Sequence, residues 1–196
     1  MIQRSAIVAG ICAAMIAVHL VDLVLGGVLS RFGIHPRDPG SAWTIVTAPW
    51  LHGDFAHLFS NLAAFVVLAA LCLVNGIRYF VKASALIIAI GGALVWLLGR
   101  DANHIGASGW IFGLWSLVIA LAWYDRSLRN IAIAGAVLIV YGGSMVIGLL
   151  PTDSRISFEG HVFGAIAGVI AAALLSKQQR RIATPARANG ELKFWS

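Results

Sequence analysis

The chain has 196 residues, is 60% hydrophobic and only 11% charged, and has a mean hydropathy of +0.88. A soluble domain is about half apolar and a quarter charged, so a soluble core is excluded, and without period-2 alternation so is a β-barrel, which leaves membrane-spanning helices. The net charge of +6 would suit nucleic acid, but its placement at the ends of apolar runs assigns it to topology instead.

The first apolar run covers residues 5–29 and follows Arg4. It exceeds the ~7–15 residues of a signal-peptide core and no small-x-small cleavage site follows, so it is read as a retained span. His19 and Asp22 lie three apart on one face of it, and an interhelical hydrogen bond near its outer end is expected for them. Residues 30–50 contain Pro36, Pro39, Gly40, Trp43 and Trp50. Pro and Gly break any helix there, and the tryptophans suit a membrane interface. This loop is expected to lie on or dip into the bilayer surface.

Further spans are expected at 54–75, 80–98, 107–123, 131–150 and 158–175, so that residues 1–176 form one six-span membrane domain. Each is long enough for ~30 Å of hydrocarbon. Residues 177–196 read as a basic, disordered tail. Cys12 and Cys72 fall inside apolar runs without spaced partners, and read as small buried apolar residues. Ten of the 14 Lys and Arg residues fall on the side holding both termini and four on the other. Both termini are therefore expected in the cytoplasm.

With that topology, spans two, four and six enter from the outer side, and each carries unusual polar residues in its first turns. These are His57 and Asn61, then Ser108, then His161. Polar groups at matched depth in a membrane are costly and mark a site. Gly109 and Gly113 on span four, and Gly160, Gly164 and Gly168 on span six, form small-residue stripes that let two backbones approach. Ser108 and His161 border those stripes. A serine hydroxyl needs a neighbouring base to become a nucleophile, and histidine suits that role. His57 and Asn61, at i and i+4, share a helical face and can donate to an oxyanion, as can the Ser108 amide at a helix start. Gly106 and Gly109 permit a tight backbone around the serine. Asp153 and Glu159 are expected in solvent, which makes the pair a dyad. A metal site from His52, His57 and His161 lacks a carboxylate or cysteine partner, and His35 and His104 read as loop or interface residues.

The segments His52-Gly-Asp-Phe-Ala-His57-Leu-Phe-Ser-Asn61, Gly106-Ala-Ser108-Gly109 and Gly160-His161-Val-Phe-Gly164-Ala-Ile-Ala-Gly168 resemble, in order and spacing, the motifs of the rhomboid family of intramembrane serine proteases. The resemblance covers residues 5–176 and is to the minimal six-span bacterial form. It implies an all-α six-span bundle in the bacterial inner or plasma membrane, with the site opening to the extracytoplasmic side and no cofactor or metal. Ser108 would be the nucleophile, His161 the base, and His57, Asn61 and the Ser108 amide the oxyanion donors. Gly106, Gly109, Gly164, Gly168 and His52 would support them, and Phe112 matches an aromatic position beside the base. Trp43 fits a Trp-Arg motif of the first loop, whose second position is Thr44 here. The loop 151–157 would cap the site, with span five as a lateral gate. The implied partners are the lipid bilayer and single-span membrane proteins, cut near their outer end. The alternatives are an inactive rhomboid-like binding protein, although such relatives typically lose the serine or histidine kept here, and a small transporter, although no internal repeat is seen.

Overall fold

A computed structural model describes residues 2–153 and 156–183. It is all-helical, with α1 (Ile2–Val24), α2 (Phe55–Leu73), α3 (Ile77–Leu98), α4 (Ser108–Tyr124), α5 (Leu128–Gly148) and α6 (Phe158–Ala183). All but α4 are long and apolar enough to cross a bilayer by themselves. With 17 residues, α4 is the shortest of the six, and it is the inner helix of the bundle. Every residue from Trp110 to Val118 is buried, and α4 packs on α2, α3, α5 and α6. A helix surrounded by other helices is apolar all round, which is why this run shows no polar face. Trp110 anchors it by donating from Nε1 to Ser84 Oγ at 3.0 Å, amid Trp50, Phe65 and Phe80.

Local chemistry sets the helix ends. Asp54 caps α2 by accepting from the His57 amide at 2.7 Å, and Ser127 caps α5 through the Asn130 amide. That cap starts α5 at Leu128 rather than at 131. Gly26 and Gly27 adopt φ of +68° and +81° and end α1 five residues before the expected 29. Helix α6 runs on to Ala183, so residues 177–183 of the expected disordered tail are helical; the rest of that tail, 184–196, lies outside the described residues.

Residues 25–54 fold into three short 3-10 turns, Leu29–Phe32, Pro39–Ile45 and Ala48–Trp50. They are knitted to the α3–α4 connection instead of lying free. Ile34 and His104 form an antiparallel bridge, with backbone bonds of 2.9 and 3.0 Å. Asn103 donates to the Ser30 carbonyl at 2.7 Å, and Trp96 Nε1 donates to the Asp38 carbonyl at 2.9 Å. Thr44 is buried and bonds within its own turn, to the Ser41 carbonyl. The guanidinium that ties the loop down comes from Arg37, which donates to the Gly99 carbonyl at 2.7 Å. Its backbone, at φ +64°, donates to the Trp96 carbonyl. His19 and Asp22 also serve this loop rather than another helix. Asp22 accepts from the Leu29 and Ser30 amides and the Ser30 hydroxyl. His19 Nδ1 bonds the His52 carbonyl at 3.1 Å.

The closest helix pair is α4 with α6. A Cβ on Gly109 would stand 3.1 Å from the Gly160 carbonyl oxygen, and one on Gly164 or Gly168 would overlap the carbonyl of Gly109 or Gly113. These glycines are contact points of two backbones, as small residues four apart allow in a membrane. Helix α5, like α1, is loosely held. Only Asn130, Ala134, Val137 and Met145 of it are buried, and it packs chiefly on α4.

Candidate active site

A cavity of about 760 Å³ opens where α2, α4 and α6 begin and α5 ends. Ser108 and His161 line it from the first turns of α4 and α6, and His57 and Asn61 from α2. The close Gly109–Gly160 approach fixes the spacing of the two helix starts. Phe112, one turn beyond Ser108, stacks flat on the His161 ring, with centroids 4.2 Å apart and an interplanar angle of 6°. His161 Nδ1 bonds the Gly148 carbonyl at 2.7 Å. A carbonyl only accepts, so Nδ1 carries the proton and Nε2 keeps its lone pair. Among the described hydrogen bonds none joins Ser108 Oγ to Nε2; the two groups share one cavity wall, and such bonds tighten when substrate binds.

The opposite wall presents donors. Asn61 is buried and directs Nδ2 to the His57 carbonyl at 2.7 Å, which leaves its second N–H for a ligand. Gly106 brings the His57 ring close to the serine turn. Its φ is +112°, and a Cβ there would meet His57 Nε2 at 2.6 Å, so both backbone and space demand glycine. Its amide donates to the Ala48 carbonyl at 2.9 Å, which ties the serine turn to the first loop.

His52 lies behind His57, edge-on with ring centroids 5.1 Å apart, and is 1% exposed. Burial, reinforced by the nearby His57 and His19 and partly offset by the Trp50 backbone, pushes its pKa down to about 4. In the unfolded chain the same group has a pKa near 6.5. Between those values the unfolded state binds more protons, so stability declines as pH falls from about 6.5 toward 4. Thermal unfolding in detergent is expected to show a lower midpoint across that window, and His52→Phe is expected to remove part of the slope. A variant with the wild-type slope would show that His52 does not titrate this way.

Several residues here stand apart from their sequence reading. Glu159 is buried, and its carboxylate faces Arg100 Nε at 3.6 Å. Arg100 also donates to the Ile156 carbonyl and lies over the Phe158 ring, fastening the α5–α6 connection to the α3–α4 connection. Opposite charges at the ends of spans facing the same side were the available signal for this pair. His104 is buried, bonding the Ser157 hydroxyl at 2.6 Å and the Arg100 carbonyl at 3.0 Å. Ser157 in turn caps α6 through the Gly160 amide. A second, smaller cavity of about 50 Å³ lies behind Ser108, bordered by Gly106, His104 and Ser157. It has room for water. Among the described residues no group of three or more His, Cys, Asp or Glu side chains is placed to hold a metal. Gly148 carried no signal, because its contribution is a backbone carbonyl.

Apolar helices around a cavity that a serine and a histidine line from adjoining first turns define an all-α integral membrane protein. The chain belongs to the rhomboid family: the Rhomboid domain family model matches residues 39–178. It is 36% identical over 178 residues to an uncharacterized protein of Mycobacterium tuberculosis, covering 86% of this chain and 74% of that protein. It is 32% identical over 157 residues to the chloroplastic rhomboid-like protein 11 of Arabidopsis thaliana, covering 69% of this chain and 54% of that one. YdcA of Bacillus subtilis, named as a candidate rhomboid protease, is 26% identical over 150 residues, 72% of each chain.

Proposed function

We propose that this protein is an intramembrane serine endopeptidase acting through a Ser108–His161 dyad. The observation that carries the reading is the state of His161. Its ring is stacked on Phe112, its Nδ1 is committed to a carbonyl, and it lines the cavity that Ser108 lines. That is a base set for use, with its free lone pair on Nε2.

In this reading Ser108 Oγ attacks a peptide carbonyl while its proton passes to His161 Nε2. The Ser108 amide, His57 and Asn61 stabilise the oxyanion. Collapse of the intermediate expels the amine, which takes the proton from His161, and leaves an acyl group on Ser108. A water, for which the cavities have room, gives one proton to His161 and attacks the acyl group; collapse of this intermediate breaks the bond to Ser108 Oγ, which takes the proton back from His161 as the acid leaves. The substrates are single-span membrane proteins cut near the outer end of their segment. A helical peptide bond is protected by its own hydrogen bonds and must unwind to reach Ser108. Both termini face the cytoplasm of a bacterial cell, with the cavity on the other side, as the distribution of Lys and Arg supports.

A fluorophosphonate probe is expected to label the purified protein in detergent at Ser108, and mass spectrometry of the labelled peptide checks it. No label at Ser108, with the protein folded, would favour a binding protein that has kept the motif without the activity.

A further inference from the structure

We infer that the Gly148 carbonyl, on the last turn of α5, orients the catalytic base, so that the proton-accepting state of His161 depends on α5 being seated against the bundle. The inference rests on the dyad reading above. In a triad a carboxylate accepts from the histidine and fixes its tautomer and direction. Here Nδ1 meets a neutral backbone oxygen at 2.7 Å instead. That oxygen belongs to a different helix from either dyad residue.

The approach is built into the residue. A Cβ on Gly148 would stand 2.7 Å from Phe112 Cζ and 3.5 Å from His161 Nδ1. Only a residue without a side chain lets this turn reach the stacked pair. Gly142 and Gly143, on the same helix, have nothing within 4 Å of an added Cβ, so their spacing serves no such contact. The helix that carries the acceptor is also loosely held, with four buried residues and α4 as its main support. Ser144, Met145 and Gly148 form its share of the cavity wall. A ligand pressing on that wall therefore touches the element that sets the base. With α5 displaced, Nδ1 loses its acceptor and the imidazole is free to change tautomer or rotate. Gly148 is thus a positioning residue, acting through His161.

The test uses the full chain in detergent micelles, with ring 15N spectra of His161 assigned by comparison with His161→Gln. The wild type is expected to show a protonated Nδ1 and a bare Nε2. Gly148→Ala is expected to give mixed tautomers, and at least a tenfold loss of kcat on a model single-span substrate with KM within about twofold. Gly142→Ala should change neither readout. A second variant keeps the shape of the turn: replacing Leu149 by its α-hydroxy acid makes the Gly148 carbonyl an ester, a weaker acceptor. It should lower kcat in the same direction. The same exchange at Leu150, which also removes one backbone N–H bond, to the Ile147 carbonyl, should leave kcat unchanged.

Wild-type kcat and a single Nδ1–H tautomer in both altered forms would overturn the inference. So would a wild type lacking the Nδ1–H tautomer. Failure of the protease reading looks different: no cleavage and no label on Ser108 in the wild type, while the 15N spectra still decide whether Gly148 sets the tautomer.

Discussion

Ser108→Ala and His161→Ala are each expected to abolish cleavage of a model single-span substrate, and the double variant is expected to be no worse than either. A nucleophile and its base act as one unit, and removing one member of such a pair costs on the order of 10⁶ in kcat, about as much as removing the set. The structure makes Ser108→Ala a clean test. The hydroxyl takes no part in capping α4, whose preceding residue, Ala107, makes no side-chain cap bond. Losing it should leave the fold and its thermal midpoint near the wild-type values. His161→Ala is less conservative, because the ring packs on Phe112 and bonds Gly148, so its unfolding midpoint is to be measured beside its activity. Asn61→Ala should retain partial activity. It removes one oxyanion donor, typically a loss of ~10²–10³ in rate, and leaves dyad and tautomer intact. Cleavage persisting in Ser108→Ala would sink the assignment of the nucleophile. Equal losses in Asn61→Ala and Ser108→Ala would mean that Asn61 holds the fold rather than the oxyanion.

The part of this site that could be read in the sequence is the part made of side chains in unlikely surroundings. Ser108, His161, His57 and Asn61 stand out because a bilayer-spanning run has few reasons to keep a polar group. The Lys and Arg distribution, in turn, puts all four at one end. The glycines of α4 and α6 were legible too, because their spacing of four matches the helix period. What stayed hidden depends on pairings across long separations. Arg37 reaches Gly99 and Arg100 reaches Glu159 only once the loops have folded, and neither pair leaves a periodic trace. Glu159 shows how a partner reverses an expectation. Alone, a carboxylate at a helix start belongs in solvent, whereas beside a guanidinium it is buried. The ends of α1 and α6 went astray for local reasons. Gly26 and Gly27 stop one helix inside an apolar run, and α6 continues into a polar segment that composition alone assigns to a tail.

Gly164→Ala, alongside Gly168→Ala, is expected to be among the most damaging single-methyl changes in the bundle. The added Cβ would overlap the Gly109 carbonyl oxygen and lie 3.0 Å from Gly109 Cα. These are backbone atoms of a buried helix, so no side chain can swing aside. On another side Gly164 also meets α3, its Cα lying 3.4 Å from where a Cβ on Gly91 would be. Relief can come only from moving α6 as a whole, and overpacking of this kind typically costs 1–3 kcal/mol or more. The same movement shifts His161, one turn before Gly164, relative to Ser108, and a misplacement of about 1 Å can cost ~10² in rate. Stability and activity should therefore fall together. Unfolding in increasing SDS, read beside cleavage of a model substrate, checks this, with Gly143→Ala as the control. Gly143 faces open space, and alanine there improves helix propensity by up to about 1 kcal/mol. Wild-type behaviour in Gly164→Ala would mean that α4 and α6 do not meet at these glycines. A stable but inactive Gly164→Ala would separate the two consequences and assign the glycine to the spacing of Ser108 and His161 alone.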